Sequence, residues 1–242
     1  TGYSLPRRRL YGFVEFLSEL LKPFMNIVFR ISSKTAFIFV MSTISGFPSN
    51  AKYTKALLEE GKITDQEATK ILLFTHFSNP LFILGTVSIT FLGNREVGLL
   101  ILLCHYLTNL ILGVLFRNYH PSSKENCKVS FRKALDQMHQ VRIHQKESFP
   151  TIFTNALNHS IQTLLFILGV TTAFLILTTL TLKQLPIPEV LKSVCNGMIE
   201  MTQGLKYISL LNIPLKLKGV LTVMILSFGG FSVHMQLIGI LS

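Results

Sequence analysis

Glu200 is the one acid in an otherwise apolar stretch from Ser193 to Ile213, beside Thr202, Gln203 and Gly204. An ionisable side chain at membrane depth costs of order 2.5 kcal/mol or more and usually faces a cavity or a partner. At a hairpin tip it also meets freed N–H groups and half-helix dipoles. A carboxylate so placed can hold a hydroxyl or amine of a small solute, or carry a coupling Na+ or H+.

Hydrogen-bonding residues gather at three more interruptions of apolar sequence. One is Ser45, Gly46, Pro48, Ser49 and Asn50; another is Thr75, His76, Ser78, Asn79 and Pro80; the third is Ser227, Gly229, Gly230, Ser232, His234 and Gln236. Such groups, with open carbonyls, suit a small polar solute or a sodium ion. Ser and Thr alone are weak signals, because they often bond a carbonyl of their own helix. His76, His105 and His234 lie in apolar spans. Brought together they would suit a soft metal or a proton relay, whereas a lone helical histidine more often makes one interhelical hydrogen bond. The expectation is therefore no metal, with the three histidines as the alternative. No phosphate-cradling loop, catalytic triad or pair of catalytic carboxylates occurs, so neither an enzyme nor a resident cofactor is expected.

The elements that must position these residues are apolar helices. Of 242 residues 49% are hydrophobic and 14% charged, against about 25% charged in soluble domains. A soluble enzyme and a disordered basic tail are excluded; the chain is read as an all-α polytopic membrane protein whose first partner is the bilayer. Cys104, Cys127 and Cys195 have no paired spacing, so neither disulfides nor zinc are encoded. Val97 to Phe116 and Ile161 to Leu182 are charge-free runs long enough to cross. Ile71 to Asn94 and Gly219 to Ser242 are also long enough, but are broken at Ser78-Asn79-Pro80 and Ser227-Phe228-Gly229-Gly230. A broken backbone is tolerated in hydrocarbon only where protein buries it or a wet cavity takes it. Thr35 to Ala51 and Ser193 to Ile213 are too short to span and read as re-entrant hairpins with tips at Gly46 and at Glu200 to Gly204.

Hairpin plus broken helix thus occurs twice, and paired interruptions in two halves point to a transporter site. The segments are a basic 1–22, repeat one at 23–94, a span at 95–117, a basic linker at 118–148, a span at 149–183 and repeat two at 184–242. The parity of the spans inverts the two repeats. One side then holds Arg7 to Arg9, Lys22, Lys52, Lys55, Lys62, Arg117 and the linker cations; the other holds mainly Arg95, Lys183, Lys216 and Lys218. That bias assigns the richer side to the cytoplasm and explains a net charge of +11 without nucleic acid. In the linker, Phe131, Leu135, Met138 and Val141 fall at helical spacing beside Lys and Arg, as in a basic amphipathic helix on a membrane surface.

The stretches Ser45 to Ala51, Gly61 to Thr64, Phe74 to Ile83, His105 to Leu107 and Ser227 to Gln236 resemble the YlbJ-type sporulation integral membrane proteins of endospore-forming Firmicutes, in the nucleoside-recognition (Gate) superfamily. The resemblance implies two inverted Gate repeats, each a re-entrant hairpin plus a broken transmembrane helix, separated by two full spans. It is similar to the core of concentrative nucleoside transporters, and implies tip one at Gly46 to Asn50, break one at Ser78 to Pro80, tip two at Glu200 to Gly204 and break two at Ser227 to Ser232. Pro48 and Asn50 depart from the acidic and amide groups those transporters carry at the first tip. The implied function is secondary transport of a small polar solute such as a nucleoside, in sporulation and spore cortex formation. The alternatives are a non-transporting scaffold for cortex assembly or, because Gate domains occur in ferrous-iron transporters, a metal permease. Implied partners are a second copy of the chain or other sporulation membrane proteins. Family members are longer at the N-terminus, and Thr1 in place of Met fits a trimmed product or fragment.

Overall fold

The structure is a computed structural model that describes residues 12–122, 129–144, 148–182 and 184–242. Arg7 to Arg9, Cys127, Lys183 and the linker cations Lys124, Lys128 and Lys146 lie outside them. Every regular element among the described residues is helical. Besides two 3-10 turns (Ser33–Thr35 and Phe116–Asn118) they are, in chain order, α1 (Phe13–Leu20), a π-helix (Phe24–Phe29), α2 (Ala36–Ser45), α3 (Ser49–Glu59), α4 (Asp65–Phe74), a second π-helix (Phe82–Phe91), α5 (Arg95–Leu115), α6 (Phe131–Ile143), α7 (Phe149–Leu182), α8 (Glu189–Ile199), α9 (Met201–Leu210), α10 (Leu215–Phe228) and α11 (Gly230–Leu241). Arg95–Asn118, Phe149–Leu182 and Leu215–Leu241 are long and apolar enough to cross a membrane. Helix α7 starts at Phe149, ahead of the span expected from Ile161, and Pro150 at its second position fits a helix start because the first-turn N–H groups have no intrahelical acceptor.

The chain packs as two compact units: 1–42, 49–76 and 109–160 form one, and 43–48, 77–108 and 161–242 the other. The first has an aromatic core. Phe29, Phe37 and Phe74 are fully buried, and the Phe29 and Phe74 rings stack at 4.5 Å. Gly113 lets α5 approach, since a Cβ there would lie 2.6 Å from the Phe29 ring. Thr64 caps α4 in a reciprocal box with Glu67, satisfying otherwise orphaned donors. Helix α6 forms as the linker pattern predicts, but Met138 packs against Gly12 while Phe131 and Leu135 remain exposed. Lys62 bridges Glu15 and Glu60 at 3.0 Å each. Burial pulls its pKa down, but the two carboxylates outweigh it and raise the folded value above that of the open chain. The bridge therefore stabilises below the unfolded lysine pKa and fades only as pH climbs through the folded one.

Lys70 is completely buried on α4. Its ammonium donates to the Arg30 carbonyl at 3.0 Å and the Arg117 carbonyl at 2.8 Å. Arg30 ends the first π-helix in a left-handed conformation (φ 51°) and Arg117 lies in the 3-10 turn that follows α5. One cation thus closes two helix C-termini, where orphan carbonyls concentrate negative charge. Replacing Lys70 with Met should strip both carbonyls and lower stability by about 1–3 kcal/mol, read as a depressed unfolding midpoint in detergent. An unchanged midpoint would show that water replaces the ammonium.

Candidate functional site

The second unit contains break two, break one from Phe77 onward, the apex of the first hairpin and the whole of the second. Hairpin one turns at Gly46-Phe47-Pro48, between α2 and α3. Gly46 is left-handed (φ 72°), and a Cβ there would land on the Asn79 backbone nitrogen. Such a φ and such an approach both require glycine. The Phe47 N–H donates to the Phe77 carbonyl at 2.8 Å, and Asn79 Nδ2 to the Ser45 carbonyl at 3.2 Å. Tip one and break one are stitched together.

Break one is the extended run from Thr75 to Asn79. Asn79 restarts the helix: its Oδ1 accepts the Leu81 N–H at 2.7 Å and the Phe82 N–H at 3.3 Å. Pro80 follows at the position where its missing donor costs nothing. The freed Ser78 N–H donates to His105 Nε2 at 2.9 Å, which puts the ring proton on Nδ1. Tyr106 Oη donates to the Thr43 carbonyl at 2.6 Å, with the Ser78 carbonyl 3.3 Å away. Ser78 Oγ is buried and has no partner. Beyond the break the helix is wound as a π-helix, which the apolar pattern does not foretell.

Hairpin two corrects the expected tip. The reversal is confined to Glu200, while Thr202, Gln203 and Gly204 already belong to α9. Glu200 is 3% exposed, and its carboxylate accepts the Thr202 N–H at 3.2 Å and the Gln203 N–H at 2.7 Å. It is an N-cap that brings charge to the positive end of the helix. Gln203 Oε1 accepts from Thr178 of α7, and its Nε2 donates to Tyr207 Oη at 3.2 Å. A Cβ on Gly204 would collide with the Gly197 backbone, and one on Gly230 would lie 3.0 Å from the Gly197 carbonyl and 3.1 Å from the Met201 nitrogen. Break two therefore seats on tip two.

Break two is short: Gly229 (φ 81°) alone separates α10 from α11, whose first residue, Gly230, is also left-handed (φ 78°). Ser232 is 1% exposed, and its Oγ, like that of Ser78, is buried without a partner. Gln236 Nε2 donates to Thr171 Oγ1 of α7 at 3.2 Å. Ser227, also expected at the site, lies exposed, whereas the preceding Ile225 and Leu226 are buried. Asn50, Thr75 and His76 belong to the other unit. There Asn50 Oδ1 accepts the Ala51 N–H at 2.9 Å, Thr75 Oγ1 donates to the Ile71 carbonyl at 2.7 Å, and the His76 carbonyl accepts from Asn109 at 3.3 Å. His234 Nδ1 lies 2.8 Å from the Gly230 carbonyl of its own helix. Among the described residues no three His, Cys, Asp or Glu side chains group as metal ligands.

Thr43, Tyr106, Thr171 and Thr178 were not legible as site residues. Tyr106 adjoins His105, which is the only signal it carries, and the threonines of α7 look like any others in an apolar helix. The apolar base is shared: Phe47 and Phe82 pack against a core that includes Met201, Leu205, Ile208 and Leu226. Gly204→Ala should cost about 3 kcal/mol, the upper range for overpacking, because backbone cannot step aside. Gly169→Ala, where a Cβ meets nothing within 4 Å, should be neutral or slightly stabilising. Equal unfolding midpoints for the two variants would refute the tight seat.

The long apolar helices make the chain an integral membrane protein that crosses more than once. In sequence it is 34% identical over 257 aligned residues to the sporulation integral membrane protein YlbJ of Bacillus subtilis (strain 168), a match covering 96% of this chain and 63% of the relative. The YlbJ-type resemblance is borne out, and the chain spans less than two thirds of that relative's length. No family model and no solved structure matches the chain.

Proposed function

We propose that the chain is a Gate-type secondary transporter of a small polar solute, a nucleoside among the candidates, with Na+ or H+ as coupling ion, acting in the membrane of a sporulating cell. The similarity to a sporulation membrane protein supports the setting. The single observation that carries the transport reading is the pair of orphan hydroxyls. Ser78 Oγ and Ser232 Oγ, one at each break, are buried and unpartnered in the same unit. An unsatisfied buried hydroxyl costs about 1–3 kcal/mol, and a solute or ion held at the breaks would complete the hydrogen bonds of both. Glu200 supplies the carboxylate at tip two, the Asn79 side chain ties break one to tip one, and the Gln203 side chain ties tip two to α7. The inverted relation of the two repeats belongs to this reading.

Ser78→Ala and Ser232→Ala separate site from scaffold. Removing an unsatisfied hydroxyl should leave the unfolding midpoint unchanged or raise it, yet each variant should lose most solute uptake in proteoliposomes screened with nucleosides and other small polar solutes. Full uptake in both variants would sink the reading, as would uptake that falls only in step with stability.

A further inference from the structure

A cleft of about 550 Å³ opens beside hairpin two, within the second unit, walled by the last turns of α7, the start of α8 and the end of α9. Its size falls in the range of small-molecule sites, about 300–1,000 Å³. Polar groups of complementary kinds converge on it. At the rim Lys192 and Glu189 of α8 form an ion pair at 3.2 Å, with the carboxylate side chain 74% exposed. The Lys192 side chain is 20% exposed while its carboxylate partner faces solvent, so a ligand bearing both charges can open the pair from the solvent side and keep each charge matched. Deeper in, Asn196 is 3% exposed and spends its Nδ2 on the Lys192 carbonyl at 2.8 Å, leaving Oδ1 as an acceptor with no partner in the protein. Tyr207 Oη accepts from Gln203, so its proton remains to be donated. Leu210 and Leu211 supply the apolar wall.

We propose that this cleft binds a small zwitterion, its anionic group on Lys192 and Tyr207 and its ammonium on Glu189 and Asn196. The chemistry is shared by a free solute and by a zwitterionic lipid headgroup, and the cleft lies at the end of α7, a helix long enough to cross the bilayer. The site is separate from the orphan hydroxyls of the breaks and does not depend on transport.

The purified protein is titrated calorimetrically with glycerophosphoethanolamine, and in parallel embedded in nanodiscs containing phosphatidylethanolamine or only phosphatidylglycerol, with retained lipid counted by native mass spectrometry. Glycerophosphoglycerol, a monoanionic diester, and ethanolamine provide the single charges. The zwitterion should bind at least tenfold more tightly than either. Glu189→Gln, Lys192→Gln and Asn196→Ala should each weaken it tenfold or more at an unchanged unfolding midpoint, and the exchange Glu189→Lys with Lys192→Glu should recover part of the loss. Binding of the soluble headgroup identifies a free solute, and selective retention of phosphatidylethanolamine alone a lipid; both sustain the proposal. Equal binding of a single-charge control, undiminished binding in the Glu189→Gln, Lys192→Gln double variant, or no zwitterion bound in either arm would overturn it.

Discussion

Backbone groups released where an apolar helix stops must find a partner inside the protein, because hydrocarbon offers none. That constraint organises each unit of this chain. At break one His105 takes the Ser78 N–H, Tyr106 approaches the Ser78 carbonyl and Asn79 caps the next helix. At hairpin two Glu200 takes two N–H groups of α9. In the other unit Lys70 takes two terminal carbonyls. Residues that look chemical in the sequence are therefore spent first on closing the main chain.

The second constraint is distance. A side chain can close a break only if the elements approach within hydrogen-bond reach, and glycine makes that approach available. Gly46 lies against Asn79, and Gly197, Gly204 and Gly230 meet where break two rests on tip two. Gly46 and Gly230 sit at interruptions and also admit the neighbouring backbone, while Gly197 and Gly204 admit it from within α8 and α9. At the first two, interruption and packing are one feature.

The sequence displayed the interruptions and the spans because both are local: charge-free length and helix breakers need no knowledge of the fold. The turn at Gly46 and the restart at Pro80 follow directly from that. What it could not display was direction. Ser227 and Ser232 are equally polar and five positions apart in a motif, yet one is exposed and the other buried. Thr202, Gln203 and Gly204 read as an irregular tip because Gly and Thr are poor helix formers, but a carboxylate cap and the seat against Gly197 override that propensity. On α5 and α7 only His105 stood out in the sequence, since Tyr106 and Thr178 gain a role only from what faces them.

In the proposed reading Glu200 is at once a helix cap and a site residue. Each of its oxygens receives one N–H, which leaves acceptor capacity on both. A carboxylate in that state is fixed in orientation, already desolvated, and still able to accept from an ammonium or hydroxyl or to neighbour a cation. Being used structurally is what preorganises it. Ser78 and Ser232 are the complement: their hydroxyls are buried but contribute nothing to the closure of the main chain. If the breaks existed only to bend helices, Ala at either position would serve better, since a buried hydroxyl without a partner weakens the fold. Backbone closure accounts for Asn79, His105 and Glu200; it does not account for the two serines, and that remainder is the part of the site that points to a ligand.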